Sequence, residues 1–359
     1  MTGDHCAFLY NEGFPKYSFG EGHPFQSRRE QETRELLDQL GIFGDQAIIY
    51  NTHPATVEDL MMVHSREHID FVRKRCELGG YLDRGDTPAT STLYEGSLAA
   101  VGATLDGVEG IMTGRFLHAF NPAGGLHHAR SESSSGFCVF NDLAVAVRAL
   151  QRRFKKERVA IIDIDGHHGD GTQSVFYKEK ILTISLHHYS TGFYPGTGNM
   201  GENGQGYGTG YAINVPLPSR TGDRTYLKAY KEVVLTALEE YRPDMIMQQF
   251  GVDAHFSDPL VGLGLTTHGY ESIAKLTHEA AHKFCNGQYM VTGGGGYNLE
   301  AVRRCWTIMF CTISGVYPKD RASWEALHDP KGVPEPPSVE GEVERTIERI
   351  RAEVLPLIK

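Results

Sequence analysis

The chain has 359 residues, 40% of them hydrophobic and 22% charged, the balance of an ordinary globular protein rather than a disordered one. With 35 Lys and Arg against 45 Asp and Glu, its formal net charge of −10 offers no general attraction to phosphate backbones, which argues against nucleic acid as a principal partner. The longest apolar stretch, 305–316, is too short to span a bilayer, the N-terminal MTGDHCAFLY lacks a secretory pattern, and six scattered cysteines form no CxxC pair; a soluble cytoplasmic protein with reduced thiols and no membrane partner is expected.

In chain order, Thr56 and Asp59 form a capping-box pattern expected to open a helix carrying Leu60, Val63 and Ile69. Residues 159–164 (VAIIDI) and 181–186 (ILTISL) are short apolar runs of the kind buried on both faces of a parallel sheet. From Asp223, helical spacing sets Leu227, Tyr230, Val233, Val234, Ala237 and Leu238 on one face. Residues 245–250 (MIMQQF) and 289–292 (YMVT) are two further strands, and between them a helix from His268 carries Ile273, Leu276, Ala280 and Phe284. Gly-rich loops at 192–210 and 293–296 follow strand candidates. A Pro-rich stretch, 330–337, precedes a terminal segment in which Val339, Val343, Ile347, Ile350 and Val354 recur at helical spacing, expected to dock on the body or on another subunit. The alternation predicts an α/β fold with helices packed on a parallel sheet, without an internal repeat.

Three clusters carry chemistry. Asp163-Ile-Asp165-Gly-His167-His168-Gly-Asp170 directly follows the strand VAIIDI, and so many carboxylates and imidazoles at a strand end need partners. Asp163, Asp165 and His167 alternate by two and suit a metal half-site; the alternative is a polar loop whose acids cap the next helix, as Asp170 could. Gly124-Gly125-Leu126-His127-His128, followed by Gly136-Phe137-Cys138 and Asn141-Asp142, holds paired imidazoles among residues of little bulk. Asp253 follows the strand MIMQQF and could complete a metal triad with Asp165 and His167. Gly293–Gly296, before Tyr297, are either the approach of a ligand to the backbone or a permissive loop.

The motifs GGLHHA, SGFCVFND, IDIDGHHGDGTQ, SLH, FYPGTG, GVDAHFSDPL and GGGGYN, in this order over about residues 5 to 316, resemble the zinc-dependent histone deacetylases, including their acetoin-utilisation and acetylpolyamine relatives. That resemblance implies an arginase-like α/β fold, a single largely parallel sheet with helices on both faces, with a catalytic domain at 1–320 and a C-terminal extension at 321–359. It also implies removal of acetyl or other acyl groups from acyl-lysine, with hydrolysis of small acetylated amines as the alternative. Carried over by position, the metal ligands are Asp165, His167 and Asp253, for Zn2+ or, given two hard carboxylates, Fe2+ or Co2+. The tandem histidines are His127 and His128, their carboxylate partners Asp163 and Asp170, and the catalytic tyrosine Tyr297. Gly136, Phe137, Tyr194 and Leu260 correspond to tunnel walls, and Asp86 to the acid that clamps the substrate backbone. A structural K+ is implied at Asp163, Asp165, His167, Ser185 and Leu186. Gly166 stands where the family carries a larger residue and is expected to loosen the metal strand. Tyr194 adds a hydroxyl to a wall, and the aliphatic Leu260 suits an acyl-lysine stem better than a second ammonium.

Overall fold

The computed structural model describes residues 5–330 and 332–359; the first four residues of the N-terminal segment and of the expected 1–320 domain lie outside it. Eight strands form one sheet: β1 (Cys6–Tyr10), β2 (Ala47–Asn51), β3 (His118–Asn121), β4 (Val159–Asp163), β5 (Leu182–His188), β6 (Ala212–Leu217), β7 (Met245–Gln249) and β8 (Tyr289–Thr292). Their order is β2-β1-β3-β8-β7-β4-β5-β6, and every pairing is parallel. The helices are α1 (Arg28–Gln39), α2 (Val57–Leu60), α3 (Arg66–Leu78), α4 (Leu93–Met112), α5 (Asp142–Phe154), α6 (Asp170–Phe176), α7 (Asp223–Ala229), α8 (Thr236–Tyr241), α9 (Thr267–Cys285), α10 (Leu299–Ser314), α11 (Arg321–Glu325) and α12 (Pro337–Glu353). Among the described residues no helix is long and apolar enough to cross a membrane.

Strand side chains alternate between two cores. On one face Cys6, Phe8, Ala160 and Ile162 join Tyr226, Tyr270, Trp306 and Phe310 from α7, α9 and α10. On the other, Ala7, Leu9, Val159 and Ile161 join Val101 and Val108 of α4 and Val145 and Val147 of α5. A strand buried on both sides has no polar face, which is why VAIIDI and its kin are continuous apolar runs.

Two expected helices divide. The capping box at Thr56 is present, with Asp59 N donating to Thr56 Oγ1 (3.1 Å), but α2 ends at Leu60. Ile69 lies on α3, which restarts where the Ser65 hydroxyl accepts from the His68 amide (3.2 Å). The helical pattern from Asp223 keeps its apolar face but passes through a π-helical segment, Tyr230–Leu235, between α7 and α8.

The terminal apolar stripe packs on this same chain. Val339, Val343, Ile347, Ile350 and Val354 are buried in the core that holds α7 and β6. Asp329 reaches further in: its carboxylate meets His255 Nε2 (2.9 Å), Arg304 Nη1 (2.9 Å) and the Thr267 amide (2.9 Å) at the start of α9. Ile347→Ala is expected to lower stability by about 2–4 kcal/mol, read by urea unfolding, because its methyl groups fill a closed interior.

Candidate active site

Four of the strands, β3, β8, β7 and β4, lie side by side, and each releases a loop from its carboxyl end. The His127–His128 loop follows β3, the Asp165–His167 loop β4, the Asp253 loop β7 and the glycine run before Tyr297 β8. Residues more than a hundred positions apart therefore meet over the middle of the sheet, the usual place for sites of parallel α/β folds.

Ligand-type atoms of Asp165, His167 and Asp253 lie within 4.8 Å of one another. His167 Nδ1 is 2.9 Å from Asp253 Oδ2 and 3.3 Å from Asp165 Oδ1. Asp165 Oδ2 accepts from Gln249 Nε2 and from the Gly295 amide (both 2.7 Å), and Asp253 Oδ1 from the Gly166 amide (2.6 Å). A side chain at Gly295 would collide with both carboxylates, so the glycine run is shaped by the acids as well as by any ligand. The expectation that Gly166 loosens this segment is corrected: the space a β-carbon would fill is taken by Val261, and the segment is closely packed.

These acids sit in an interior that opposes charge. Burial and the neighbouring Asp165 push the Asp253 carboxyl up. Burial works against a charged His167, but Asp165 and Asp253 outweigh it and raise the ring to about 10. A proton on His167 Nδ1 thus occupies the point where two carboxylates require a cation, and the donor set of two carboxylates and one imidazole fits a divalent transition ion there.

The paired histidines divide their roles by their partners. His127 Nδ1 meets Asp163 Oδ2 and His128 Nδ1 meets Asp170 Oδ1, both at 2.7 Å, with ring centroids 4.0 Å apart. Burial disfavours charge on each; for His127 the carboxylates of Asp163 and Asp165 prevail and raise it to about 9. For His128, burial and the charge on His127 prevail and lower it to about 4. The two rings are therefore pushed in opposite directions, His127 toward its charged form and His128 toward its neutral one. Asp170 opens α6 without a capping hydrogen bond; its second oxygen accepts from Arg130 Nη2 (2.7 Å), so the acid serves His128 rather than the helix. The loop itself hangs from α5: Asp142 accepts from the Gly125 and Leu126 amides (Oδ2, 3.0 Å; Oδ1, 2.8 Å), while Asn141 caps the helix and donates to Ala129 O (3.0 Å).

Phe137 and Tyr297 stand edge to face with centroids 6.1 Å apart, flanking a narrow cavity that also reaches Gly136, His128 and Asp165. The Tyr297 phenol is held far above its ordinary range by burial and by Asp253 and Asp165, so it keeps its proton. Tyr194 packs 5.0 Å from His128, its hydroxyl bonded to Ser135 Oγ (2.5 Å), while Phe193 stacks on His167 at 5.1 Å. Asp86, with Asp83, Arg84, Arg130, Ser135 and Tyr194, lines an outer cleft of about 610 Å³. Leu260 is exposed, 44%, on the loop after Asp253. Asp163 and Ser185 are register partners across β4 and β5, so the expected potassium residues adjoin; the Ser185 hydroxyl meets His187 Nδ1 (2.9 Å).

Sequence reasoning missed four residues here. Gln249 grips Asp165; a polar pair inside the apolar run MIMQQF was the available signal. Asp258 accepts from the Tyr297 amide (2.8 Å) and the Leu260 amide (2.9 Å), joining two loops, and lies within the quoted GVDAHFSDPL. Arg130, two positions after the histidine pair, donates to Asp170 (2.7 Å), and its place beside that pair was the available signal. Arg29 is buried, donating to Gly296 O (3.0 Å) with its guanidinium over Phe25; nothing in the polar RREQETRELLDQ marks it as interior.

A parallel sheet with acids, paired imidazoles and a buried phenol gathered at its carboxyl end defines an α/β protein with a candidate active site for acid–base chemistry. Comparison supplies the family. The histone deacetylase domain matches residues 23–313. The acetoin utilization protein AcuC of Bacillus subtilis is 37% identical over 321 residues, covering 87% of this chain and 82% of that protein. AcuC of Staphylococcus aureus strain MSSA476 is 33% identical, covering 86% and 81%. The crystal structure of the HDA15 HD domain superposes with a TM-score of 0.81 at 29% identity, covering 98% of this chain and 99% of that one. The chain belongs to the histone deacetylase family, and an acyl-lysine deacetylase-like function fits it.

Adding Zn2+ to metal-free protein at neutral pH is expected to release at least the proton on His167, with affinity rising as pH approaches about 10. Calorimetry in buffers of different ionisation enthalpy counts that proton; a zinc affinity independent of pH would contradict the ligand set.

Proposed function

We propose that the chain removes acetyl or other acyl groups from the lysine side-chain amine by metal-dependent hydrolysis. One observation carries the proposal: two buried carboxylates and an imidazole, two Asp-paired histidines and a protonated tyrosine converge from four adjacent strand ends. Asp165, His167 and Asp253 would hold one Zn2+, or Fe2+ or Co2+, which when bound polarises the acyl carbonyl and acidifies water.

His128 has Nδ1 committed to Asp170, which leaves Nε2 to take the proton from the attacking water and return it to the leaving amine. Asp163 keeps His127 oriented and cationic, so that ring stabilises negative charge growing on the acyl oxygen. Tyr297 donates its hydroxyl to the same oxyanion. Gly136, Phe137, Tyr194 and Leu260 line the path of the acyl-lysine stem, and Asp86 accepts from the backbone amides of a bound peptide. Oxygens of Asp163, Asp165, His167, Ser185 and Leu186 suit a structural K+ beneath the metal loop. Six singly scattered, buried cysteines support a reducing, cytoplasmic setting.

Zinc-loaded protein is expected to turn over acetyl-lysine peptide faster than acetylputrescine or acetylspermidine, with inhibition by a hydroxamate. Tyr297→Phe is expected to lower kcat by about 10²–10³-fold at unchanged zinc content. Turnover confined to the polyamines would reassign the substrate; near-normal turnover by Tyr297→Phe would remove its role.

Burial and the neighbouring Asp83 raise the Asp86 carboxyl to about 6. Below that pH it is protonated and stops accepting, so KM for the peptide is expected to rise as pH falls through about 6. Asp86→Asn should have a raised KM that no longer changes across this range, measured by steady-state kinetics.

A further inference from the structure

Three imidazoles meet at the end of the sheet away from these loops. His118 is the first residue of β3, whose other end, Asn121, leads into the His127–His128 loop. His278 and His282 lie one turn apart on α9 and share a helix face. His278 Nε2 is 3.0 Å from His118 Nε2 and 3.0 Å from His282 Nε2, and one ring nitrogen from each of the three lies within 4.8 Å of the other two. The rings are steeply inclined, at 81°, 76° and 85°, with centroids 4.7, 5.2 and 4.6 Å apart, so they meet through their nitrogen edges rather than by stacking.

Hydrogen bonding among the rings does not account for this arrangement. A neutral imidazole nitrogen has either one proton or one lone pair, both in the ring plane, yet His278 Nε2 has two partners at equal distance. Whatever the tautomers, one of the two contacts lacks a good hydrogen bond. His118 is 4% exposed, and its Nδ1 is buried without a hydrogen-bond partner. Three protonated rings this close would repel.

A metal ion answers each difficulty by accepting one lone pair from every ring. Metal–nitrogen bonds of about 2.0–2.1 Å at tetrahedral angles set the nitrogens about 3.4 Å apart, within the span observed. The contrast with a second histidine group is informative. In His268, Glu271 and His328 the polar atoms are already engaged: His328 Nε2 with Glu271 (3.0 Å), His328 Nδ1 with Trp324 O (3.0 Å), and His268 Nε2 with Asp329 O (3.2 Å).

We propose that His118, His278 and His282 form a second metal site, separate from the active site, that takes a divalent transition ion. All-imidazole ligation suits Zn2+, and equally Co2+, Ni2+ or Cu2+, and does not suit the oxygen-seeking Mg2+ or Ca2+. The ion ties the C-terminal turns of α9 to the start of β3. His282 is exposed, so an ion held there would be reachable from solvent on that side.

The test counts metal in the full chain with its active-site metal in place. After dialysis against micromolar Zn2+, the unaltered protein is expected to hold two equivalents and the His278→Ala/His282→Ala variant one, with unchanged deacetylase turnover. Asp165→Ala is expected to lose the other equivalent and keep this one. With Co2+, the difference spectrum between the unaltered protein and the double variant should show the intense visible bands of tetrahedral coordination. A single equivalent in the unaltered protein, two in the double variant, or loss of the second equivalent in His268→Ala would each overturn the proposal. Equal Tm values for the metal-free unaltered protein and double variant show that the comparison is between folded chains.

Discussion

The structure is organised around two carboxylates held side by side in the interior. Asp165 and Asp253 are almost completely buried, where an uncompensated charge is costly, and the surrounding chain is arranged to offset it. Gln249, the Gly295 amide and the Gly166 amide each donate to one of the two, His167 lies against both, and His127 approaches Asp165 to 3.8 Å. Donors alone leave negative charge over, which is why His167 holds a proton so tightly and why a divalent cation suits the place. The same crowding explains local sequence: the Gly295 position has no room for a side chain beside the acids, and Gly166 leaves its volume to Val261.

Parallel strand order makes that meeting possible. Because β3, β8, β7 and β4 are neighbours running in one direction, their carboxyl ends open at one edge of the sheet, and four loops distant in sequence share one space. The loops are tied to rigid elements rather than to each other alone. Asp142 at the start of α5 holds the histidine loop by its amides, Arg29 on α1 holds Gly296, and Asp258 bonds the amides on either side of the metal loop and the tyrosine loop. Asp329, far along the chain, braces the start of α9 and His255, so the C-terminal residues support the shell around the loop that carries Asp253.

The two ends of the sheet present different chemistry. At the carboxyl end, carboxylates dominate and His127 and His128 are each bonded to an acid, so charge is separated and held ready for proton transfer. At the amino end of β3, three imidazoles face one another with no acid bonded to them, an arrangement with lone pairs to offer and little charge to move.

Much of the fold was legible in the sequence because a parallel sheet buried on both faces demands continuous apolar runs: 159–164, 181–186, 245–250 and 289–292 all coincide with strands to within two residues. Other strands were not read: β2 and β3 include Asn or His and β6 includes Asn and Pro, which break the apolar run, while β1 (CAFLY) is as apolar and as long as β4 and β7 and was simply not singled out. The chemistry of the site was legible as clusters of acids, imidazoles and glycines after strands, because such groups cannot stand at a buried strand end without partners. By itself the sequence determined the donor types, their strand-end positions and the family. Only the tertiary structure decided that Arg29, Gln249, Arg130 and Asp258 belong to the site, and that His118 meets His278 and His282. Those outcomes depend on strand order and on the rotation of each helix about its axis, and these are set by packing between distant segments rather than by any local run of residues.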